Sequence, residues 1–178
     1  MTRIADHRSI ISIDPGSRGL TFVFFEDGML LDWGTWRDDG NEVGLLDRLL
    51  ERSRADVLIL ENGEAVRSER RPRMRRLLRL LAQRAEERGV VVAAISRYEV
   101  RKAWAARGMT TKHAVASAIG TMFPEIQPLV PRKRKVYCSE QARADVFDAA
   151  SLVLHAYGVD TQPTASDWSV LEVSGPNA

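Results

Sequence analysis

The sequence predicts an α/β fold. A mixed five-stranded sheet, made of a three-stranded antiparallel meander and two parallel strands, carries helices on both faces. Residues 9–36 contain three short apolar stretches separated by turn signals, and residues 41–95 alternate two helical patterns with two compact apolar runs. An antiparallel start followed by alternating helices and strands is typical of a mixed sheet covered by helices. The length of 178 residues suits one domain.

The predicted meander comes first in the chain. Residues 9–13 form an apolar run that ends at Asp14 and a Pro-Gly-Ser turn. Residues 20–26 are rich in β-branched and aromatic side chains, and Asp27-Gly28 after them is a strong hairpin signal. Residues 29–36 are therefore predicted to form the returning strand.

Helices and buried strands alternate next. Leucines at helical spacing predict helices over residues 41–52 and 70–88, and Gly89 is a natural stop for the second. The apolar runs 56–60 and 90–95 predict strands buried on both faces.

The remaining elements are helices. Residues 98–107 predict a short helix, and Thr110 is a suitable N-cap for a helix over residues 112–123. A proline-containing loop is expected over residues 127–136, and Ser139 can cap a last helix that runs to about residue 157. We expect one domain over residues 1–158 and a poorly ordered tail over residues 159–178, which is polar and contains Pro, Ser and Gly.

Composition narrows the class of protein. A single cysteine, Cys138, excludes an internal disulfide framework, and it has no Cys or His neighbour at zinc-ligand spacing. The sequence contains neither a signal-peptide pattern nor an apolar run long enough to cross a membrane. The expected location is the cytoplasm.

Charge is distributed unevenly along the chain. The formal net charge is only +2, but residues 64–112 contain fourteen Lys or Arg against five Asp or Glu. A basic middle segment favours a polyanionic partner.

Four acids occupy the ends or one face of predicted elements. Asp14 and Glu61 follow two apolar strands, while Asp145 and Asp148 are three residues apart and share a face of the last helix. If the two strands are parallel neighbours, their acids lie side by side at one edge of the sheet. A helix that crosses this edge would bring the other two acids to them.

Such a cluster suits divalent metal ions. Mg²⁺ prefers carboxylate oxygens, and two ions can stabilise the attacking and leaving oxygens of a phosphodiester displacement. Crowded carboxylates repel one another unless cations are present. Taken singly, each acid has an ordinary structural interpretation, since Asp-Pro-Gly is a common turn and strand ends are often solvated. The combination predicts a nuclease that uses Mg²⁺ or Mn²⁺, with two ions in the site.

At these residues the sequence resembles the RuvC family of Holliday junction resolvases. Residues 11–19 resemble the family's opening strand and turn, and residues 58–61 resemble its second acidic strand. Residues 144–152 resemble its C-terminal helix, and residues 99–102 with Thr111-Lys112 resemble the segment before the next helix. The resemblance covers roughly residues 9–157 of this chain.

The resemblance implies a ribonuclease H-like fold and an endonuclease that resolves four-way DNA junctions as a homodimer. It implies that Asp14, Glu61, Asp145 and Asp148 bind metal and carry catalysis. Lys112 would lie near the scissile phosphate or the DNA backbone. A branch-migration motor is a possible partner. Where the family has a small apolar and aromatic segment after the second acid, residues 62–72 of this chain are charged.

Two basic stretches are candidate DNA contacts. The first combines a loop and a helix beside Glu61, where seven Arg against one Glu favour contact with phosphates over a charge-balanced, solvated face. Its residues are Arg67, Arg70, Arg71, Arg73, Arg75, Arg76 and Arg79. The second directly precedes the last helix and consists of Arg132, Lys133, Arg134 and Lys135. This second stretch is equally consistent with a merely exposed loop.

Other functions fit parts of the sequence. A nuclease for flaps or other branched DNA, or a ribonuclease, would need the same acids, and a non-catalytic nucleic-acid-binding module would need only the fold and the basic surface. The turn after Asp14 also resembles the phosphate loop of actin-like ATPases. Those proteins need two such domains, and this chain has room for one.

Overall fold

The computed structural model describes residues 8–16, 19–37, 40–132 and 144–158. Five strands form one mixed sheet in the order β3-β2-β1-β4-β5. The first three are antiparallel, and β4 and β5 add in parallel to β1. The strands are β1 (Ser9–Gly16), β2 (Gly19–Glu26), β3 (Met29–Arg37), β4 (Val57–Glu61) and β5 (Val91–Ile95). This confirms the predicted fold class.

Within the described residues, five α-helices cover the sheet on both faces. They are α1 (Glu42–Ser53), α2 (Pro72–Glu87), α3 (Arg97–Ala106), α4 (Lys112–Met122) and α5 (Ala144–Tyr157). The segment predicted as a loop after α4 contains a short 3₁₀ helix, Gln127–Leu129. Among the described helices, none is both long and apolar enough to span a membrane.

Alternation along the strands creates two cores. Ile10 and Ile59 face one side, where they pack with α3, α4 and α5, whereas Ile11 and Leu58 face the other side, against α1 and α2. Both faces of β1 and β4 are therefore buried, which explains why these strands are continuously apolar in sequence.

Two sequence predictions about local structure are wrong. The strand at 91–95 is not buried on both faces, because β5 forms the edge of the sheet and Val91 remains 47% exposed. The N-cap of α4 is Thr111 instead of Thr110, since the Thr111 hydroxyl accepts a hydrogen bond from the backbone N–H of Ala114 at 3.1 Å. The predicted cap Ser139 and the tail 159–178 lie outside the described residues.

A bidentate ion pair joins the two helices on the α1–α2 face. The Arg84 guanidinium donates to both carboxylate oxygens of Asp47, at 2.9 and 3.0 Å. The hydrogen bond from Arg84 lowers the pKa of Asp47 below its ordinary value, against an opposing effect of burial, and the charges of Arg84 and Arg88 add to the lowering.

The double-sided core predicts where a truncation is costly. Ile59→Ala should lower the free energy of unfolding by about 2–5 kcal/mol, because it leaves a cavity between the sheet and α5. Leu31→Ala, on the exposed edge strand β3, should cost less than about 1 kcal/mol. Urea unfolding of the two variants measures both values. Equal losses would contradict the assignment of the core.

The Asp47–Arg84 pair predicts a pH dependence. A depressed pKa stabilises the fold above the ordinary pKa of 3.8, and this contribution is lost as the pH falls through the folded-state value. Asp47→Asn should therefore be less stable than wild type at about pH 7, and the difference should shrink by about pH 3. A difference in unfolding free energy that stays constant over this range would contradict the ion pair.

Candidate active site

Two buried acids end the central parallel strands. Residue 13 pairs with residue 60 in the β1–β4 register, so the next position on each strand places Asp14 beside Glu61. Alternation turns both side chains toward the face covered by α5. Asp14 is 3% exposed and Glu61 is 4% exposed. The sequence therefore places two carboxylates in the interior at one end of the sheet.

The first turns of α5 bring two more acids to this end. One carboxylate oxygen from each of Asp14, Asp145 and Asp148 lies within 4.8 Å of the others. Gly16 makes the close approach possible, because a Cβ at this position would lie 3.2 Å from Oδ2 of Asp145. The predicted convergence of β1 and α5 is present.

Glu61 lies slightly apart from the other three acids. It is not part of the three-carboxylate group found among the described residues. Two arginines connect it to that group instead, since its Oε2 accepts hydrogen bonds from Arg70 Nε at 2.8 Å and from Arg97 Nε at 2.9 Å.

Arg97 lies at the centre of the cluster. It is the first residue of α3, directly after the end of β5. Its Nε donates to Glu61, its Nη2 donates to Oδ1 of Asp14 at 2.8 Å, and its Nη1 donates to Oδ2 of Asp148 at 2.9 Å. One guanidinium thus binds three of the four acids.

Arg70 enters the cluster from the segment between β4 and α2. Its Nη2 donates to Oδ1 of Asp14 and lies 2.6 Å from Oε2 of Glu61, and its Nη1 donates to the carbonyl of Pro15 at 3.2 Å. The Arg70 side chain is 22% exposed and that of Arg97 is 20% exposed. Both guanidiniums are therefore largely removed from water.

The titration behaviour follows from this packing. Burial raises the pKa of Asp14, and the charges of Asp148 and Glu61 add to the increase, while Arg97 and Arg70 oppose it. Burial lowers the pKa of the Arg97 guanidinium, but the charges of Asp14, Asp148 and Glu61 outweigh burial and raise the pKa above its ordinary value. Arg70 follows the same pattern: burial lowers its pKa, and interactions with Asp14 and Glu61 raise it. Both arginines stay charged.

Lys112 adds a further cation at the rim. It begins α4, and its Nζ donates to Oδ2 of Asp148 at 3.2 Å. Its side chain is 46% exposed, so the ammonium group faces solvent as well as the acids. Lys112 therefore lies beside the acidic cluster, and its expected contact with the scissile phosphate or the DNA backbone stays a prediction.

The donor set fits a divalent cation. Carboxylate oxygens are the ligands that Mg²⁺ and Mn²⁺ prefer, and those of Asp14, Asp145 and Asp148 are close enough to share an ion. The arginines donate to Oδ1 of Asp14 and to Oε2 of Glu61, so part of the donor set is engaged by guanidinium groups.

A basic cleft of about 620 Å³ adjoins the cluster. Its lining includes Glu61, Arg67, Arg97, Tyr98 and Arg101. The Arg67 guanidinium lies 4.2 Å from the centre of the Tyr98 ring, a cation–π contact that holds it at the surface. The cleft therefore presents positive charge beside the acids.

Most of the other predicted DNA-binding residues lie on α2 or directly before it. Arg75 Nε donates to the carbonyl of Arg70 at 2.9 Å, and Arg79 lies 3.6 Å from Glu64. Among the described residues, the exposed members of the two basic stretches are Arg67, Arg71, Arg73, Arg76, Arg79 and Arg132. Lys133, Arg134 and Lys135 lie outside the described residues.

Sequence reasoning missed Arg97 and assigned Arg70 only to DNA. A signal for Arg97 was present, because Ser96-Arg97 directly follows an apolar strand in the same way that Glu61 ends its neighbour. The ends of parallel strands meet at one edge of a sheet, so a cation there lies beside the acids. Nothing in the local sequence of Arg70 distinguishes it from the adjacent arginines.

Comparisons with known proteins place this geometry in context. No known family model matches the chain, and no curated protein sequence matches it. The structure of RuvC from Thermus thermophilus matches with a TM-score of 0.54 at 19% identity, over 84% of this chain and 95% of that one. T. thermophilus RuvC in complex with a Holliday junction substrate matches with a TM-score of 0.58 at 18% identity, over 84% and 94%.

A third match comes from another organism. The yeast mitochondrial Holliday junction resolvase Ydc2 gives a TM-score of 0.53 at 16% identity, over 91% of this chain and 79% of that one. At such low identities the similarity shows a shared fold. The chain shares the fold of these Holliday junction resolvases, as its sequence resemblance implied.

The central position of Arg97 predicts its effect on stability. Arg97→Gln should lower the free energy of unfolding in EDTA by about 2–4 kcal/mol, because it removes one of the two guanidiniums that Asp14 and Glu61 share. Lys112 is a half-exposed partner of Asp148, so Lys112→Gln should lower the free energy of unfolding by less than about 1 kcal/mol. Urea unfolding in EDTA measures both. A loss for Arg97→Gln no larger than that for Lys112→Gln would show that Arg97 is not the main counter-ion.

Proposed function

We propose that this protein is a divalent-metal-dependent endonuclease that nicks branched DNA, and that its main substrate is the Holliday junction. The convergence of Asp14, Asp145 and Asp148 within 4.8 Å, at the ends of β1 and α5, carries the proposal. The fold shared with resolvases supports it.

In this proposal the four acids hold Mg²⁺ or Mn²⁺, with two ions in each site. Asp14, Asp145 and Asp148 supply the closest donors, and Glu61 completes the set from the neighbouring strand. When bound, the ions would stabilise the charge that develops on the phosphodiester oxygens. The rigid strand ends and the buried helix α5 hold the carboxylates in position without the cost of ordering a loop.

The cations around the acids would position the DNA. Lys112 lies at the rim of the cluster, where its solvent-facing ammonium can contact a phosphate beside the scissile bond. Arg67 and Arg101 line the adjoining cleft and would bind the backbone further along the strand. Arg71, Arg73, Arg75, Arg76 and Arg132 to Lys135 remain proposed DNA contacts.

Assembly belongs to the same proposal. Two nicks on opposed strands of a junction require two active sites, so we infer a homodimer. A branch-migration motor that supplies junctions is a compatible partner, and a cytoplasmic location fits the proposed substrate. Residues 1–158 would form the catalytic domain of each subunit.

A second candidate function is nucleic-acid binding without catalysis. Arg70 and Arg97 neutralise the acids through ion pairs of 2.5 to 2.9 Å, which is compatible with a nucleic-acid-binding module without catalysis. A nuclease for flaps, or a ribonuclease, would use the same site as a resolvase. Cleavage and binding assays separate these possibilities.

Loss of one acid tests the nuclease directly. Asp145→Asn should reduce cleavage of a four-way junction by more than about a hundredfold in Mg²⁺ or Mn²⁺, since even partners beyond the metal ligands often contribute ten- to a hundredfold. Asp32 is an acid on β3 that pairs with Arg52. Asp32→Asn is therefore the matched control and should cut the junction as wild type does. Undiminished cleavage by Asp145→Asn would refute the metal site.

The substrate class is tested in the same assay. Four-way junction, flap, plain duplex, single strand and RNA–DNA hybrid are compared under one metal condition. The proposal predicts fastest cleavage of the junction. Equal cutting of plain duplex would exclude junction resolution, and tight junction binding without cleavage by wild type would identify a binding module.

A further inference from the structure

We propose that Arg70 is a displaceable counter-ion of the acidic cluster, which binds Asp14 and Glu61 in the metal-free protein and leaves them when a divalent cation binds. The proposal deepens the proposed function and rests on its metal site. Arg70, which belongs to the first basic stretch, then acts at the acids and not only at DNA.

The buried acids of the cluster need cations beside them. Asp14 and Glu61 are nearly fully buried, and Asp148 lies close by. Buried carboxylates without partners destabilise a fold strongly. Arg70, Arg97 and Lys112 bring positive charge to this group.

The arginines occupy one oxygen of each of the two buried carboxylates. Oδ1 of Asp14 accepts hydrogen bonds from both guanidiniums, and so does Oε2 of Glu61. A carboxylate oxygen has only two lone pairs, so two N–H donors leave it little capacity for a further ligand. Metal binding through these oxygens therefore requires a guanidinium to leave.

Arg70 is easier to displace from the acids than Arg97. Arg97 begins a helix directly after β5 and binds three carboxylates. Arg70 lies before α2 in a segment without helix or strand, and binds two carboxylates and the carbonyl of Pro15. Its backbone is anchored by hydrogen bonds with the side chains of Ser68, at 3.3 Å, and Arg75, at 2.9 Å.

The adjoining cleft can accommodate the displaced Arg70 side chain. Arg70 itself lines the cleft of about 620 Å³ that opens beside Glu61. A rotation of its side chain moves the guanidinium from the acids into this cleft, which Arg67 and Arg101 also line. The backbone of α2 need not move.

Metal affinity measured without DNA tests the exchange. In Mn²⁺ titrations followed by the electron paramagnetic resonance of free Mn²⁺, Arg70→Gln should bind the ion about tenfold more tightly than wild type, because the ion no longer competes with the guanidinium. Arg71→Gln removes the same charge from an exposed neighbour and is the matched control, with a change below about twofold. Unchanged or weaker binding by Arg70→Gln would overturn the proposal.

A second measurement follows the exchange in the wild-type protein, and a variant is needed only to assign the resonance. The Nε–H resonance of Arg70, assigned by its absence in Arg70→Lys, should be protected from solvent exchange in EDTA. On saturation with Mg²⁺ it should lose that protection, while the Nε–H of Arg97 keeps it. Protection of Arg70 that persists in saturating Mg²⁺ would overturn the exchange.

These readouts separate the proposal from the proposed function. If Arg70→Gln binds Mn²⁺ more tightly but wild type cuts no DNA, the counter-ion role is supported and the nuclease fails. If wild type cuts junctions while Arg70→Gln and wild type bind Mn²⁺ equally, the nuclease is supported and the counter-ion role fails. Absence of Mn²⁺ binding to either protein would overturn both.

Discussion

Burial of like charges at the end of a parallel strand pair is the constraint on which the rest of this structure depends. Asp14 and Glu61 lie side by side in the interior, and α5 adds Asp145 and Asp148. Such a group is unstable in a low-dielectric environment unless cations accompany it. The placement of Arg97 at the start of α3, of Arg70 before α2 and of Lys112 at the start of α4 meets this requirement.

The local structure that produces this cluster is simple. Strand alternation fixes the face to which each acid points, and the parallel register fixes their distance along the sheet. Gly16 leaves room for Asp145, and the helix period puts Asp148 one turn further on the same face. The double-sided core keeps both elements rigid, so the carboxylates converge without contributions from flexible segments. The chain therefore shares its fold with resolvases, and its own residues form the acidic cluster at the end of the sheet.

Much of this arrangement could be predicted from the sequence because it depends on period and order. The acids at strand ends and the three-residue spacing on the last helix are local patterns, and they indicated both the sheet edge and the crossing helix. The edge position of β5 could not be read from its apolar residues, because Val91 and its neighbours are as apolar as those of the buried strand β4. The ion pair of Arg70 with Asp14 joins residues more than fifty positions apart in the sequence and depends on the direction of a long side chain. No local pattern distinguishes it from the arginines beside it.

We propose that the acidic cluster is a metal site and that its arginines act as counter-ions when no metal is bound. Anomalous diffraction from crystals grown with Mn²⁺ tests this assignment. We expect an anomalous peak within coordination distance of Asp14 and of an acid on α5, with the Arg70 guanidinium no longer on Oδ1 of Asp14. Crystals without a peak at the cluster, in which Arg70 and Arg97 still bind Asp14, would contradict it.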